Sequence, residues 1–382
     1  MKVFKQTFKS LRIRNYRLYF FGQVVSLTGT WMQTVAQMWL VLRLTHSGVA
    51  LGLTTAFQFL PVLLLGAFGG VIADRFKKRR LLFLTQTLNC LLAAGLAYLT
   101  LSGRASVALV YLFAFGLGLV NVFDNPTRQS FVAEMVGAKL MPNAVALNST
   151  IVTSSRMIGP AVAGVVIETT GLGWCFILNA LSFAGVLAAL LLMRPKEFYL
   201  WPSEKSKWQG QLKEGLTYAW QHPVLRLPLL LMLAVGLLGF NFNVLVPLLA
   251  TQVFAASPST YGLLFSVLGI GSLLGALYVA HRPRSSHLFL IVTGMAFGIL
   301  MMLGALALSL WLEMLLLLLI GAATTIYQTV SNSVLQMNSE PRLRGRVMAL
   351  YLVVFMGTTP VGGPIVGWLA QTLGVREEML IT

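Results

Sequence analysis

Long apolar runs alternate along the chain with short polar connections. Eleven runs stand out, at 18–43, 48–73, 81–102, 106–127, 143–169, 172–193, 224–251, 259–280, 287–309, 311–333 and 346–373. A helix needs roughly 17–25 residues to cross a hydrocarbon core about 30 Å thick, and each run supplies that. The runs are continuously apolar and Leu-rich. A membrane barrel would instead alternate apolar and polar positions over about ten residues. Backbone groups in lipid have no water to bond and must bond within their own segment. The predicted fold class is an all-α polytopic membrane protein.

Composition agrees. Of 382 residues, 57% are hydrophobic and 10% are charged, and mean hydropathy is +0.79. Soluble domains carry about 25% charged residues, so a soluble fold, a disordered chain and a secreted disulfide scaffold are all excluded. The net charge of +17 is distributed by side. Of the 28 Lys and Arg, 24 precede the first run or follow runs two, four, six, eight and ten. Arg43, Arg104 and Arg376 lie on the other side, and Arg156 lies inside a run. Short Lys/Arg-rich loops stay cytoplasmic. The N-terminus is therefore expected inside, in the inner membrane, and nucleic acid is not needed to explain the charge. The start, MKVFKQTFKSLRIRNYR, lacks a signal peptide's apolar core and cleavage site, so the first run is expected to stay as a helix.

The polar stretch 194–223 divides the chain into six runs at 1–193 and five at 224–382, with a cytoplasmic linker between. The halves resemble each other. SFVAEMVGAKLMPNAVAL (130–147) aligns with SVLQMNSEPRLRGRVMAL (333–350), and GPAVAG (159–164) meets GPIVG (363–367). Such repeats characterise transporters that hold substrate between their halves. After Gly374 the chain reads VREEMLIT, where a twelfth run would begin.

The loop GVIADRFKKRR (70–80) resembles the signature loop of the major facilitator superfamily. Gly70, Asp74, Arg75, Lys78 and Arg79 fit the motif, while Lys77 stands where a second Gly is usual. The resemblance implies a conformational latch centred on Asp74; simple anchoring of a basic loop is the alternative. Gly159, Pro160 and Gly164 resemble an element of the superfamily's exporters. Pro removes a backbone donor and small residues permit close packing, a role also expected of Gly363 and Pro364. Residues 14–47 and 124–136 resemble the branch that includes the enterobactin exporter and the transmembrane secretion effectors. That resemblance implies two pseudo-symmetric halves rocking about a central site by alternating access. It also implies export of small amphipathic molecules, drugs or siderophores, coupled to protons. The alternatives are an importer, a lysophospholipid-type facilitator, or a non-transporting sensor or fragment.

Candidate site residues are polar groups that lipid would penalise. Gln23, Ser26, Thr30, Gln33 and Gln37 form one stripe of the first run, with Trp31 beside it. Asn121, Asp124, Asn125 and Arg128 share a face of the fourth, and Arg156 stands one turn before Pro160. Asp124 is read either as a structural partner of Arg128 or Arg156, or as a proton carrier. Gln58, Asn241, Asn243, Tyr327 and Gln328 complete the expected cavity. Cys90, Cys175 and the four His show no metal spacing, and no nucleotide, zinc or nucleophile-elbow motif occurs. No enzyme chemistry, cofactor or metal is expected. The partners are a small molecule, protons and the bilayer, and the chain is expected to act as a monomer.

Overall fold

The computed structural model describes residues 7–199, 211–281 and 286–381, except the side chains of 67, 71, 73, 74 and 211–213. The helices are α1 (Arg14–Thr45), α2 (Gly48–Arg75), α3 (Lys78–Leu101), α4 (Val107–Thr169), α5 (Leu172–Leu192), α6 (Gln211–Gln221) and α7 (Pro223–Leu238). They continue as α8 (Phe242–Leu248), α9 (Pro258–Ala280), α10 (His287–Ala305), α11 (Leu310–Asn338), α12 (Arg344–Thr372) and α13 (Val375–Ile381). No strand occurs among the described residues. Among the described residues, nine helical stretches are long and apolar enough to span a membrane.

That number reconciles with eleven runs. α4 has 63 residues and contains both the fourth and the fifth run. The polar stretch between them, expected as a loop, is helical up to a single break at Gly137, whose φ of 68° and ψ of 172° are open essentially to glycine alone. α1 is the other difference. Its polar stripe lowers its mean hydropathy although its 32 residues are ample for a span.

The seventh run departs from expectation. It is not one helix: α7 ends at Leu238, α8 begins at Phe242, and a π-helical turn follows at Leu249–Val253. Asn241 sits at the break and donates Nδ2 to the carbonyls of Leu237 (2.8 Å) and Leu238 (3.2 Å). Its side chain supplies the donors the interrupted backbone lacks. Irregular backbone at membrane depth is tolerated where protein buries it, and Asn241 is buried.

The chain divides into two compact units, Met1–Gln37 with Leu64–Ser206, and Met38–Leu63 with Lys207–Thr382. α1 and α2 each begin in one unit and end in the other. In the first unit, Tyr16, Tyr19, Phe131, Val132, Met135, Ala144, Leu147 and Leu190 belong to the core. In the second, Leu225, Met232, Val334, Leu335, Val347, Leu350 and Tyr351 do so. Phe131, Val132, Ala144 and Leu147 align in the repeat with Val334, Leu335, Val347 and Leu350, so the repeat places equivalent positions in both cores. The described ends of 194–223 pack each on its own unit. Tyr199 donates its N–H to the Glu134 carbonyl in the first. In the second, Glu214 of α6 pairs with Arg346, and the Glu340 N–H bonds the Tyr218 hydroxyl. Residues 200–210 lie outside the described residues.

Helix pairs meet where glycine removes a side chain. α9 and α11 touch backbone to backbone: a Cβ on Gly271 would overlap the Leu318 carbonyl oxygen, one on Gly321 that of Leu268, and one on Gly275 that of Ala322. Close small-residue seams are what holds helices together in lipid, where no hydrophobic drive separates helix from solvent. Gly271→Val is expected to destabilise the protein by about 1–3 kcal/mol through overpacking, whereas Gly298→Val, with open space around it, should be neutral. Thermal midpoints of the purified variants in detergent check this; equal midpoints would refute it.

Candidate functional site: an intramembrane polar network

The first unit gathers most of the polar residues that the sequence singles out. Asp124 is 2% exposed. Its Oδ1 accepts hydrogen bonds from the Thr85 hydroxyl at 2.6 Å and Gln86 Nε2 at 2.8 Å, both on α3. Its Oδ2 pairs with Arg128 Nε at 2.9 Å, one turn along α4. Arg128 spends its other nitrogens on Gln23 Oε1 of α1 (3.1 Å) and Asn125 Oδ1 (2.8 Å). Three helices therefore converge on one ion pair, with acceptors for every guanidinium nitrogen. Between the alternative partners, the geometry selects Arg128; Asp124 makes no ion pair with Arg156.

Backbone chemistry explains why α2 also comes close here. Pro126 has no N–H, so the Val122 carbonyl four residues earlier loses its helical donor. Gly69 of α2 approaches that oxygen so closely that any Cβ would overlap it.

Arg156 has different surroundings. Its guanidinium carbon lies 5.5 Å from the centre of the Trp31 ring. Its Nε is sealed from solvent without an acceptor, and no carboxylate among the described residues is within ion-pair distance. A cation–π contact supplies about 0.5–2 kcal/mol, against roughly 2.5–3.5 kcal/mol for a charge at the centre of a span. Gly159 makes the contact possible: a Cβ there would lie 2.6 Å from the Trp31 Cβ and 2.7 Å from the Thr28 carbonyl oxygen. Beside it, Thr28 and Ser155 hydroxyls meet at 3.2 Å.

The remaining stripe residues are used for packing. Gln33 accepts from Asn179 Nδ2 of α5 at 2.7 Å. Thr30 donates to the Ser26 carbonyl of its own helix. Gln37 is buried with its Nε2 unpartnered, and Asn121 is half-buried on α4. In the second unit two residues expected to line the cavity are buried. Tyr327 is 1% exposed and packs against Phe240 in the core, and Asn241 caps the broken seventh run. Both are buried because glycines bring neighbours onto them, Gly294 at Tyr327 and Gly362 at Asn241. The Gln328 carbonyl accepts from Tyr351. An open cleft of about 300 Å³ lies elsewhere, lined by Trp39, Leu42, Arg43, His46, Thr251 and Gln252.

Of the signature loop, Lys78 pairs with Glu134 at 2.6 Å. Arg79 donates to the Leu190 and Leu191 carbonyls at the end of α5. Gly70 and Asp74 lie in α2 and Arg75 is exposed; the Asp74 side chain is outside the described residues. Gly363 and Pro364 form a second seam: Cβ atoms on Gly52 and Gly367 would overlap the carbonyls of Gly363 and Gly48, and Ser47 Oγ donates to Gln371 Oε1 at 2.7 Å.

Several residues escaped the sequence reading: Thr85 and Gln86, which bond Asp124, Asn179, which bonds Gln33, and Glu313. Glu313, in the first turn of α11, is fully buried, and neither carboxylate oxygen has a hydrogen-bond partner. Nearby, Arg376 donates to the Ala307 carbonyl at 2.8 Å. An acid just inside the edge of an apolar run, with one of the few basic residues of that side in the next connection, was the available signal.

The Asp124 network makes a quantitative prediction. Arg128→Gln strands a buried carboxylate and should cost about 3–5 kcal/mol. Adding Asp124→Asn should restore much of that loss. Thermal midpoints of both single variants and the double variant measure the coupling; additive losses would mean that the pair is not a unit.

The family model described as transmembrane secretion effector matches residues 5–382. The staphyloferrin A transporter of Staphylococcus aureus is 26% identical over 95% of this chain and 91% of its own length. The enterobactin exporter EntS of Shigella flexneri is 24% identical over 94% and 85%. Among solved structures, a bacterial homolog of the human lysosomal transporter Spinster, in an inward-facing and unoccupied conformation, aligns with a TM-score of 0.73 at 19% identity. It covers 94% of this chain and 82% of that one, which places both in the same fold. The chain belongs to the transmembrane secretion effector family of the major facilitator superfamily, multi-pass transporters of bacterial membranes rather than enzymes.

Proposed function

We propose that this chain exports a small amphipathic molecule, siderophore-like or drug-like, from the cytoplasm by alternating access, driven by inward proton flow. The relatives named as a staphyloferrin A transporter and an enterobactin exporter, each matched along almost the whole chain, carry the export reading. The biased Lys/Arg loops support a cytoplasmic N-terminus. The protein works as a monomer, and the loop at Gly70–Arg79 serves as its latch.

The Asp124 network supports the coupling step. Asp124 is held by Arg128, Thr85 and Gln86 at once. A proton arriving on Asp124 removes the charge that holds Arg128, so protonation and release of Arg128 are one event. Arg128 then keeps Gln23 and Asn125 alone, and the neutral Asp124 accepts more weakly from Thr85 and Gln86, which loosens α4 from α3. Movement follows at the glycine seam, where Gly48 and Gly52 of α2 slide against Gly363 and Gly367 of α12. Glycine suits that role because no side chain interdigitates across the contact.

Two measurements on proteoliposomes test this. With an imposed proton gradient, wild type should drive efflux of a dye panel uphill. Asp124→Asn should lose at least tenfold of that gradient-driven rate while keeping downhill exchange. Full gradient dependence in Asp124→Asn would refute the coupling role. The second pins the seam: a Ser47→Cys/Gln371→Cys disulfide should abolish transport, and dithiothreitol should restore it. Undiminished transport by the cross-linked protein would refute movement at that seam.

A further inference from the structure

The two half-buried arginines in the first unit's spans differ in one respect. Arg128 has a carboxylate, two amide oxygens and no idle nitrogen. Arg156 has the face of Trp31 and no carboxylate within ion-pair distance among the described residues. Among the described residues, a counter-ion stands ready for one cation and none for the other.

The position of Arg156 is also fixed. Gly159, one turn further, lets α4 and α1 meet backbone to side chain at Trp31 and Thr28, and the Thr28 and Ser155 hydroxyls tie the two helices on the adjacent turn. The guanidinium is thus held in place at a helix seam. Trp31 covers one face, and the Nε edge is sealed. Arg156 as a whole is half-buried, and of its three guanidinium nitrogens only Nε is both sealed and unpartnered. A planar fork with only its outer edge open pairs with a two-oxygen anion. Trp31, half-buried beside it, offers an apolar surface to whatever carries that anion.

We infer that Arg156 and Trp31 form the recognition subsite for the transported molecule, and that this molecule is an organic anion whose carboxylate pairs with Arg156 while its apolar body lies along Trp31. This rests on the export reading for its biological meaning but not for its chemistry. An anionic lipid headgroup has the same oxyanion chemistry, and the experiment separates the two.

The full chain is placed in nanodiscs of phosphatidylcholine, and binding of carboxyfluorescein and of the cation rhodamine 6G is followed by fluorescence anisotropy. Wild type should bind carboxyfluorescein. Arg156→Gln should weaken that binding at least tenfold, Arg156→Lys several-fold and Trp31→Leu several-fold, with rhodamine 6G unaffected in each variant. Failure of wild type to bind the anionic dye, or unchanged binding by Arg156→Gln, overturns the inference. So does loss of binding when phosphatidylglycerol is added to the discs, which assigns the counter-ion to lipid. Should Arg156→Gln fail to elute as a folded species, Arg156→Lys decides alone, since it keeps the charge and loses the fork. The same dyes are then followed in proteoliposomes. Arg156-dependent binding without transport of any dye overturns export and leaves the subsite standing. Transport of rhodamine 6G without carboxyfluorescein binding does the reverse.

Discussion

Within a bilayer no water completes an unfinished hydrogen bond, and that constraint organises this molecule. At several places where the backbone or a charge would lack a partner, something specific stands against it. Pro126 leaves a carbonyl without its donor, and Gly69 is brought against it. The seventh run breaks, and the Asn241 amide closes the helix end. Asp124 enters the membrane as a charge and finds three donors. Glycines at the α9–α11 and α2–α12 contacts belong to the same logic, since close backbone approach supplies packing where the hydrophobic effect supplies none.

The internal repeat sharpens the contrast between the halves. Equivalent positions fill both cores, so the scaffold is duplicated. The chemistry is not. Asp124 aligns with Tyr327, a buried core ring, and Arg156 has no charged counterpart in the second half. The GP elements have diverged as well: Gly159 receives α1, whereas Gly363 receives α2. A duplicated frame has kept its packing, while the intramembrane Asp124–Arg128 ion pair occurs in one copy.

Much of this was legible beforehand. Run length and Leu content led to helices, and the repeat to two related halves, because burial in lipid acts on every residue of a span. The Asp124–Arg128 spacing of one turn made that pair readable as well. What could not be read depends on backbone rather than on side-chain pattern. Gly137 turns α4 without ending the helical polar stretch around it, and the Asn241 break lies within unbroken apolar sequence. Long-range partners were equally hidden: nothing local joins Gln33 to Asn179, Lys78 to Glu134, or Gln23 to Arg128. Glu313 was missed because an acid at a run's edge looks interfacial until α11 is seen to bury it.

The Asp124–Arg128 spacing also has a consequence for synthesis. Helices leave the ribosome in order, and α3 is made before α4. When Asp124 emerges, Thr85 and Gln86 already exist as donors, and Arg128 follows four residues behind on the same face. The segment can partition into the bilayer as an internally neutralised unit. Arg156 arrives later without a local acid, and its ready partner is Trp31, delivered with the first helix. The charge in the second part of α4 is therefore matched only once α1 and α4 have come together.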